Sequence, residues 1–489
     1  MSVKNQVQLI TYPDSLGGDL KTLDRLLRKH LADVFKGGVH ILPPFPSSGD
    51  RGFAPLTYLE IAPEFGTWDD VRRIGDTFDV TMDLMVNHIS RHSVYFQDFV
   101  QRGRKSEYAD LFITTDKIWP DGSPPPEDIA RIMLRKPDHP FSTVVVEETG
   151  QTEQIWTTFG TRDGSEQIDL DVRSEQTRAL LAGFLRHFSQ QNIAMVRLDA
   201  VGYVIKKPGT TCFMVEPEIY DFLDWLVETG NQMGLEMLPE VHAHYTTQFR
   251  LAERGYWVYD FVLPMLVLFA LLNGTSRKLR EYLKICPRQQ ITTLDSHDGI
   301  PVQPDLDDIL TVEEAQGVVE ICLQRGGNLT RVLSGHKRAE DFDAHQINCT
   351  YYAALDCDDD AYLAARAMQF FSPGVPQVYY VGLLAGENDY EAMERVDEGR
   401  AINRHNYTVD EVEQALDKAV VRRLVQLIRF RNEHPAFDGQ FRVLDSADGE
   451  IALAWQNDRA TCRLQVDLDT RQAVIAHTDE AGEMRQYRV

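Results

Sequence analysis

Eight short apolar runs, set along the chain with helix-like segments between them, constrain this sequence more than any other feature. They fall at residues 6–12, 38–42, 80–86, 193–198, 235–238, 257–262, 290–294 and 376–381. Apolar runs of this length, bounded by polar residues, read as buried strands. Strand alternating with helix predicts a parallel sheet. Eight such units predict an α/β chain, closed into a (β/α)8 TIM barrel. The segment at 174–190 places Leu180, Leu181, Phe184, Leu185 and Phe188 at helical spacing, which is core packing.

The ends of these runs carry the chemistry. Ile193-Ala194-Met195-Val196 passes into Arg197-Leu198-Asp199-Ala200. A carboxylate two residues from a fixed guanidinium stays ionised and can act as a nucleophile. Met82-Asp83-Leu84-Met85-Val86 ends in Asn87-His88, and the run at 235–238 leads to Glu240-Val241-His242. The run at 290–294 leads to Asp295-Ser296-His297-Asp298. Polar residues at several strand ends are the sequence image of an enzyme with its site on one face of a barrel.

Two gaps are too long for barrel loops. Residues 89–172 hold Pro-rich and acidic stretches with Trp119 and Trp156, and read as an inserted domain. Residues 301–356 read as a second insertion. The barrel itself then takes 1–88, 173–300 and 357–438. Beyond it, 439–489 holds short β patterns separated by Asp, Gly and Asn turns, which predict a C-terminal antiparallel β domain.

Charge and cysteine usage narrow the partners. The 489 residues carry a formal net charge of −25, so a nucleic-acid partner is not expected. An anionic substrate on such a chain needs a local cluster of Arg, Lys or His. The six cysteines form no CxxC pair, which argues against a zinc or redox motif and fits a reducing compartment. The longest apolar run, 261–272, contains Pro264 and is too short to span a bilayer. No signal-peptide pattern opens the sequence, so a cytoplasmic protein without a membrane partner is expected.

Asp199, Glu240 and Asp298 supply what glycoside chemistry needs, a nucleophile and an acid/base group with a third carboxylate to spare. Asp83 to His88, Arg197 to Ala200, Glu240 and His297-Asp298 resemble, in order and spacing, the four signature regions of the α-amylase superfamily. Val7 to Tyr12, Gly38 to Pro43, Arg197 to Tyr203, Gly374 to Gly382 and Ile402-Asn403-Arg404-His405 are similar to sucrose phosphorylases. The resemblance covers nearly the whole chain. It implies Asp199 as nucleophile, Glu240 as general acid/base and Asp298 as transition-state stabiliser. It places Asp50, His88, Arg197, His297 and Arg404 around a glucosyl group, with Phe53 and Phe159 as an apolar platform. Tyr203, Asp343 and Gln346 would line the acceptor side.

One departure matters. Sucrose phosphorylases tend to carry a Pro-Arg pair in one loop and a Leu-Tyr pair in another, where this chain has Arg135-Lys136 and Ala344-His345. Arg135 and His345 resemble the sucrose 6'-phosphate phosphorylases of the same family, as does Pro44 to Phe53. A dianionic phosphate suits a guanidinium with an adjacent donor, and Lys136 is expected to aid incoming phosphate. Asn87 matches a calcium ligand of many amylases, but the resemblance implies no metal and no cofactor. The substrates implied are a sugar donor and inorganic phosphate, acted on by a monomer or homodimer. Alternatives on the same carboxylates are a glucosylglycerol or glucosylglycerate phosphorylase and a sucrose hydrolase or transglucosidase. A non-catalytic binding barrel would have lost one of the three carboxylates.

Overall fold

A computed structural model of the chain describes residues 3–160, 164–333, 342–396 and 398–489. Each of the eight apolar runs overlaps a strand, which extends at most one residue beyond the run: β1 (Gln8–Thr11), β2 (Gly38–Ile41), β3 (Val80–Met85), β4 (Ile193–Asp199), β5 (Glu236–Pro239), β6 (Val258–Asp260), β7 (Gln290–Thr292) and β8 (Val375–Tyr379). They form one eight-stranded sheet in the order β6-β7-β8-β1-β2-β3-β4-β5. That is the circular order of a (β/α)8 barrel, interrupted between β5 and β6. Neighbours pair in parallel wherever a register is defined. Every residue of β1, β2, β3 and β8 is buried, as expected of parallel strands covered on both faces.

Two compact units divide the chain. Ile41–Val241 makes nearly all of the first. It holds β3, β4 and β5, and the helix Glu175–Ser189, whose first turn is capped by Ser174. Leu181, Phe184, Leu185 and Phe188 are buried on that helix, while Leu180 packs on an apolar cluster of residues 89–170. That stretch has its own cores. Phe96, Phe99, Phe112, Ile155 and Leu170 form one, and Trp119, Phe141 and Trp156 anchor another. Two antiparallel pairs frame it, the hairpin of Phe141–Val145 with Thr152–Trp156 and the long-range pair of His88–Ser90 with Gln167–Asp169.

The second unit joins Val3–His40, His242–Val332 and the C-terminal part of the chain. It holds β1, β6, β7 and β8. Between β7 and β8 lies an antiparallel sheet of Ile300–Pro301, Ala344–Asn348 and Asn328–Arg331, with the helix Val312–Gln324 started by a Thr311/Glu314 capping box. The run at 261–272 becomes the helix Leu263–Asn273, with Pro264 in its first turn and the residues from Leu263 to Leu271 buried. Among the described residues, no helix is long and apolar enough to cross a membrane. The C-terminal sheet has five consecutive antiparallel strands, from Gln440–Leu444 to Met484–Arg488. The sequence makes three of them plain. Of the other two, Gln472–Thr478 carries a short apolar run, Ala473 to Ala476, and Met484–Arg488 is masked by Arg485, Gln486 and Arg488.

Candidate active site

In the first unit the parallel register of β3 and β4 sets Asp83 beside Arg197 and Met85 beside Asp199. Side chains two apart on a strand share a face, so Arg197 and Asp199 emerge together. The Arg197 guanidinium then meets three carboxylates. Nη1 pairs with Asp83 and lies 3.0 Å from Asp199 Oδ1, and Nη2 lies 3.1 Å from Glu240 Oε1. The Arg197 side chain is 4% exposed and Asp83 fully buried, against 13% for Asp199 and 8% for Glu240. The buried Asp83 neutralises the guanidinium from behind, while the other two carboxylates retain access to solvent.

The chain turns sharply just past Asp199. Ala200 adopts left-handed backbone, φ 53°, a conformation that costs a residue with a Cβ of order 1 kcal/mol and clusters at functional sites. The turn aims the Ala200 N–H at Glu240 Oε2, 3.1 Å away. Glu240 N donates to Leu198 O at 3.0 Å, tying the end of β5 to β4. One planar guanidinium and one backbone amide therefore fix the spacing of Asp199 and Glu240.

Aromatic groups surround this pair. Phe53 lies with its ring 5.8 Å from Arg197 Cζ and is nearly buried. Its carbonyl accepts from His88 Nε2 at 2.9 Å and from Gln167 Nε2 at 2.8 Å. Gly52 permits this approach: its φ is +104°, and a Cβ there would stand 2.4 Å from Pro43 O. The His88 ring meets Phe159 edge-on at 5.5 Å, and Phe159 meets Tyr203 at 5.3 Å. The Arg135 guanidinium stands 5.9 Å over the half-buried Phe159 ring. Burial raises the Tyr203 phenol above its usual range, Arg135 opposes that rise, and Glu240 adds to it.

Two lysines have different fates. Lys136 is buried, and its ammonium donates to Phe141 O at 3.0 Å, Thr157 Oγ1 at 2.5 Å and Ser142 Oγ at 3.3 Å. Burial lowers its pKa to about 8. Its three donors thus serve the inserted segment's own backbone and hydroxyls. Lys206 is a residue that sequence reasoning missed. Its buried ammonium sits at 2.7 Å from Asp169 Oδ2, 3.0 Å from Asn87 Oδ1 and 3.1 Å from Thr158 Oγ1, and also pairs with Tyr203 O. The oxygen of Asn87, read above as matching a calcium ligand, is therefore engaged by a lysine ammonium. Val204-Ile205-Lys206-Lys207 gives no sign of this, because two adjacent lysines read as solvated.

In the second unit the segment after β7 is pinned at several points. Asp295 forms a buried ion pair with Arg366 at 2.6 Å. Asn403 donates to Ser296 O and Asp298 O, and Arg404 Nε donates to His297 O at 2.8 Å. The His297 ring meets Tyr12 edge-on at 6.1 Å, and the Arg404 guanidinium stands 5.9 Å from the same tyrosine. The Asp298 carboxylate faces Arg400 Nη1 at 3.1 Å and His242 Nε2 at 3.9 Å. His242 stacks on Phe261 at 4.1 Å and lies 6.3 Å from the His345 ring. His345 and Gln346 follow each other on the strand Ala344–Asn348, so they project to opposite faces. Gln346 is buried, and Asp343 is paired with Arg331 at 2.6 Å. Asp50 opens the turn Asp50–Gly52, and its side chain lies outside the described residues. Arg400 escaped the sequence analysis, although a second arginine four residues before Arg404 was a usable signal.

Strand-end carboxylates on a (β/α)8 barrel, Asp199 and Glu240 among them held by the buried Arg197, mark a carbohydrate-active barrel enzyme. Residues 11–255 match the α-amylase catalytic-domain family. The chain is 58% identical to the sucrose 6(F)-phosphate phosphorylase of Thermoanaerobacterium thermosaccharolyticum, over 100% of both chains. It is 44% identical to the glucosylglycerol phosphorylase of Marinobacter adhaerens, over 99% of each. The crystal structure of sucrose 6F-phosphate phosphorylase from Thermoanaerobacter thermosaccharolyticum superposes with a TM-score of 0.98 at 57% identity, covering 100% of this chain and 99% of that one. The chain belongs to the sucrose phosphorylase family within the α-amylase superfamily.

Proposed function

We propose that this enzyme is a retaining disaccharide phosphorylase that moves a glucosyl group from sucrose 6'-phosphate, or from sucrose, to inorganic phosphate. The observation that carries the reading is the single Arg197 guanidinium contacting both Asp199 and Glu240. It couples the two carboxyl groups in one rigid array, as a double displacement on one carbon requires.

The chemistry follows. An Asp199 oxygen attacks the anomeric carbon as the bond to the fructosyl oxygen breaks, and Glu240 gives that oxygen its proton. The product is a β-glucosyl ester of Asp199. Phosphate then attacks the same carbon, Asp199 leaves, and Glu240 recovers a proton from the phosphate. Two inversions give α-glucose 1-phosphate. Asp298 stabilises the positive charge that grows on the sugar. His88, Arg197, His297, Arg404 and Asp50 bind the glucosyl hydroxyls, and Phe53 and Phe159 offer apolar surface. Tyr203, Asp343 and Gln346 serve the acceptor side.

The donor preference rests on Arg135 and His345. The chain's net charge of −25 repels a phosphorylated sugar, so local cations must override the global field. Arg135 has the fork suited to a phosphate, and His345 offers a ring nitrogen. Lys136, with its ammonium engaged inside the insertion, acts through the segment that carries Arg135.

The test is a glucose 1-phosphate assay run in parallel on sucrose, sucrose 6'-phosphate and glucosylglycerol. The expected result is glucose 1-phosphate with the highest kcat/KM on sucrose 6'-phosphate. Free glucose as the main product would make the enzyme a hydrolase. Turnover of glucosylglycerol alone would replace the donor.

A further inference from the structure

We propose that Arg400 is a positioning residue that fixes the Asp298 carboxylate for the glucosyl-transfer step, through a Glu398–Arg400–Asp298 relay. This rests on the reading of Asp298 as the transition-state stabiliser.

The relay lies wholly in the second unit. Arg400 belongs to the turn Gly399–Asn403. Asn328 Nδ2 donates to Gly399 O at 3.0 Å, and a Cβ on Gly399 would stand 2.5 Å from Asn328 Oδ1. Asn348 Nδ2 in turn donates to Asn328 Oδ1 at 2.8 Å. The backbone of the turn is thereby tied to a sheet strand. The guanidinium is held at two edges: Nε reaches Glu398 Oε1 at 3.1 Å and Nη1 reaches Asp298 Oδ1 at 3.1 Å. Arg404 Nη1 lies 3.8 Å from the same Glu398 oxygen. The backbone around Asp298 is fixed separately, by Asn403 and Arg404. Arg400 thus holds one oxygen of the side chain, the other facing His242 Nε2 at 3.9 Å and His297 Nε2 at 4.0 Å, while its neighbours in the turn hold the main chain.

A planar fork anchored at one edge presents its other edge at a set angle, which an ammonium does not. A carboxylate that answers charge growing on a sugar acts best when it need not reorient during the reaction. Arg400 makes Asp298 preorganised. Its loss therefore falls on the chemical step more than on substrate binding.

The test uses full-length Arg400→Ala, Arg400→Lys, Asp298→Asn and the double variant Asp298→Asn/Arg400→Ala, with the donor that the wild type turns over best. Arg400→Ala is expected to lower kcat by roughly 10- to 100-fold, the loss of one charge-assisted contact, while the KM values for donor and phosphate stay within about threefold. Arg400→Lys falls between it and the wild type. Added guanidinium ion restores part of the lost kcat of Arg400→Ala and none of that of the double variant. The double variant is no worse than Asp298→Asn, because contacting residues acting as one unit are not additive. Losses that multiply, a defect confined to the KM for phosphate, or no response to guanidinium would each overturn the proposal. The two readings fail separately. Near-wild-type turnover by Asp298→Asn sinks the role of Asp298 itself. An inactive Asp298→Asn beside a fully active Arg400→Ala sinks only the relay.

Discussion

Replacing Lys206 by Met tests whether a buried ammonium organises the residues around it in the first unit. Lys206 and Asp169 have side chains 1% and 0% exposed, and their charges lie 2.7 Å apart. Asp169 also accepts from Thr158 N at 2.9 Å and Thr158 Oγ1 at 2.5 Å. Methionine keeps much of the volume but leaves Asp169 as an unpaired buried charge. It also leaves Asn87 Oδ1 and Tyr203 O without their ammonium donor. Removing one partner of a buried pair costs about 3–5 kcal/mol. With a urea slope of about 3 kcal/mol/M, the midpoint should fall by about 1–1.7 M. Urea titration followed by tryptophan fluorescence measures this, because Trp156 lies 5.4 Å from the ammonium. Lys206→Met/Asp169→Asn removes the unpaired charge and should recover part of the loss. A single variant within about 1 kcal/mol of the wild type would refute the reasoning, as would a double variant worse than the single one. Either result would mean that the ammonium is not the counter-charge of Asp169.

Three further outcomes follow from the same geometry. Glu240→Gln should cripple cleavage of sucrose-type donors but spare α-glucosyl fluoride, whose leaving group needs little acid help; equal losses on both donors in steady-state assays would make Glu240 structural. Arg135→Ala and His345→Tyr should each cost about 1.5–3 kcal/mol, or one to two decades in kcat/KM, on sucrose 6'-phosphate and far less on sucrose; equal losses on both would assign the pair to inorganic phosphate. Lys136 has a pKa lowered to about 8 by burial, so the unfolded chain binds more protons than the folded one between that value and the ordinary lysine value of about 10.4. Stability should therefore rise with pH across that window relative to Lys136→Met and run parallel to it below the window; urea midpoints at several pH values check the sign, and an unchanged gap would mean that the ammonium is not desolvated.

The fold was legible because parallel strands buried on both faces are rich in apolar and β-branched residues, and eight such runs recur with helical patterns between them. The same property marks where a strand ends, so Asp199, Glu240 and His297-Asp298 stood out as polar residues abutting apolar ones. Residues whose role depends on long-range contact were not legible. Lys206 reaches Asp169 and Asn87 across 37 and 119 positions of sequence, and nothing in its neighbours distinguishes it from the exposed Lys207. Arg400 meets Asp298 across 102 positions. Lys136 reads as a loop cation beside Arg135, yet its ammonium turns inward because Phe141 O and the Ser142 and Thr157 hydroxyls offer a ready set of acceptors. The last strand of the C-terminal sheet was missed for a related reason. Met484–Arg488 is an edge strand, mostly exposed, with no buried face to impose alternation.

The central claim is that Asp199 carries the glucosyl group. The direct measurement is peptide mass spectrometry of Glu240→Gln after incubation with α-glucosyl fluoride in phosphate-free buffer, followed by a phosphate chase. The account predicts one hexosyl group on the peptide containing Asp199, absent from Asp199→Asn/Glu240→Gln and discharged by phosphate as α-glucose 1-phosphate. A hexosyl group on a different residue would contradict it. So would turnover to glucose 1-phosphate by Asp199→Asn at more than about a tenth of the wild-type rate, since the loss of a nucleophile should cost several decades at about 1.4 kcal/mol each.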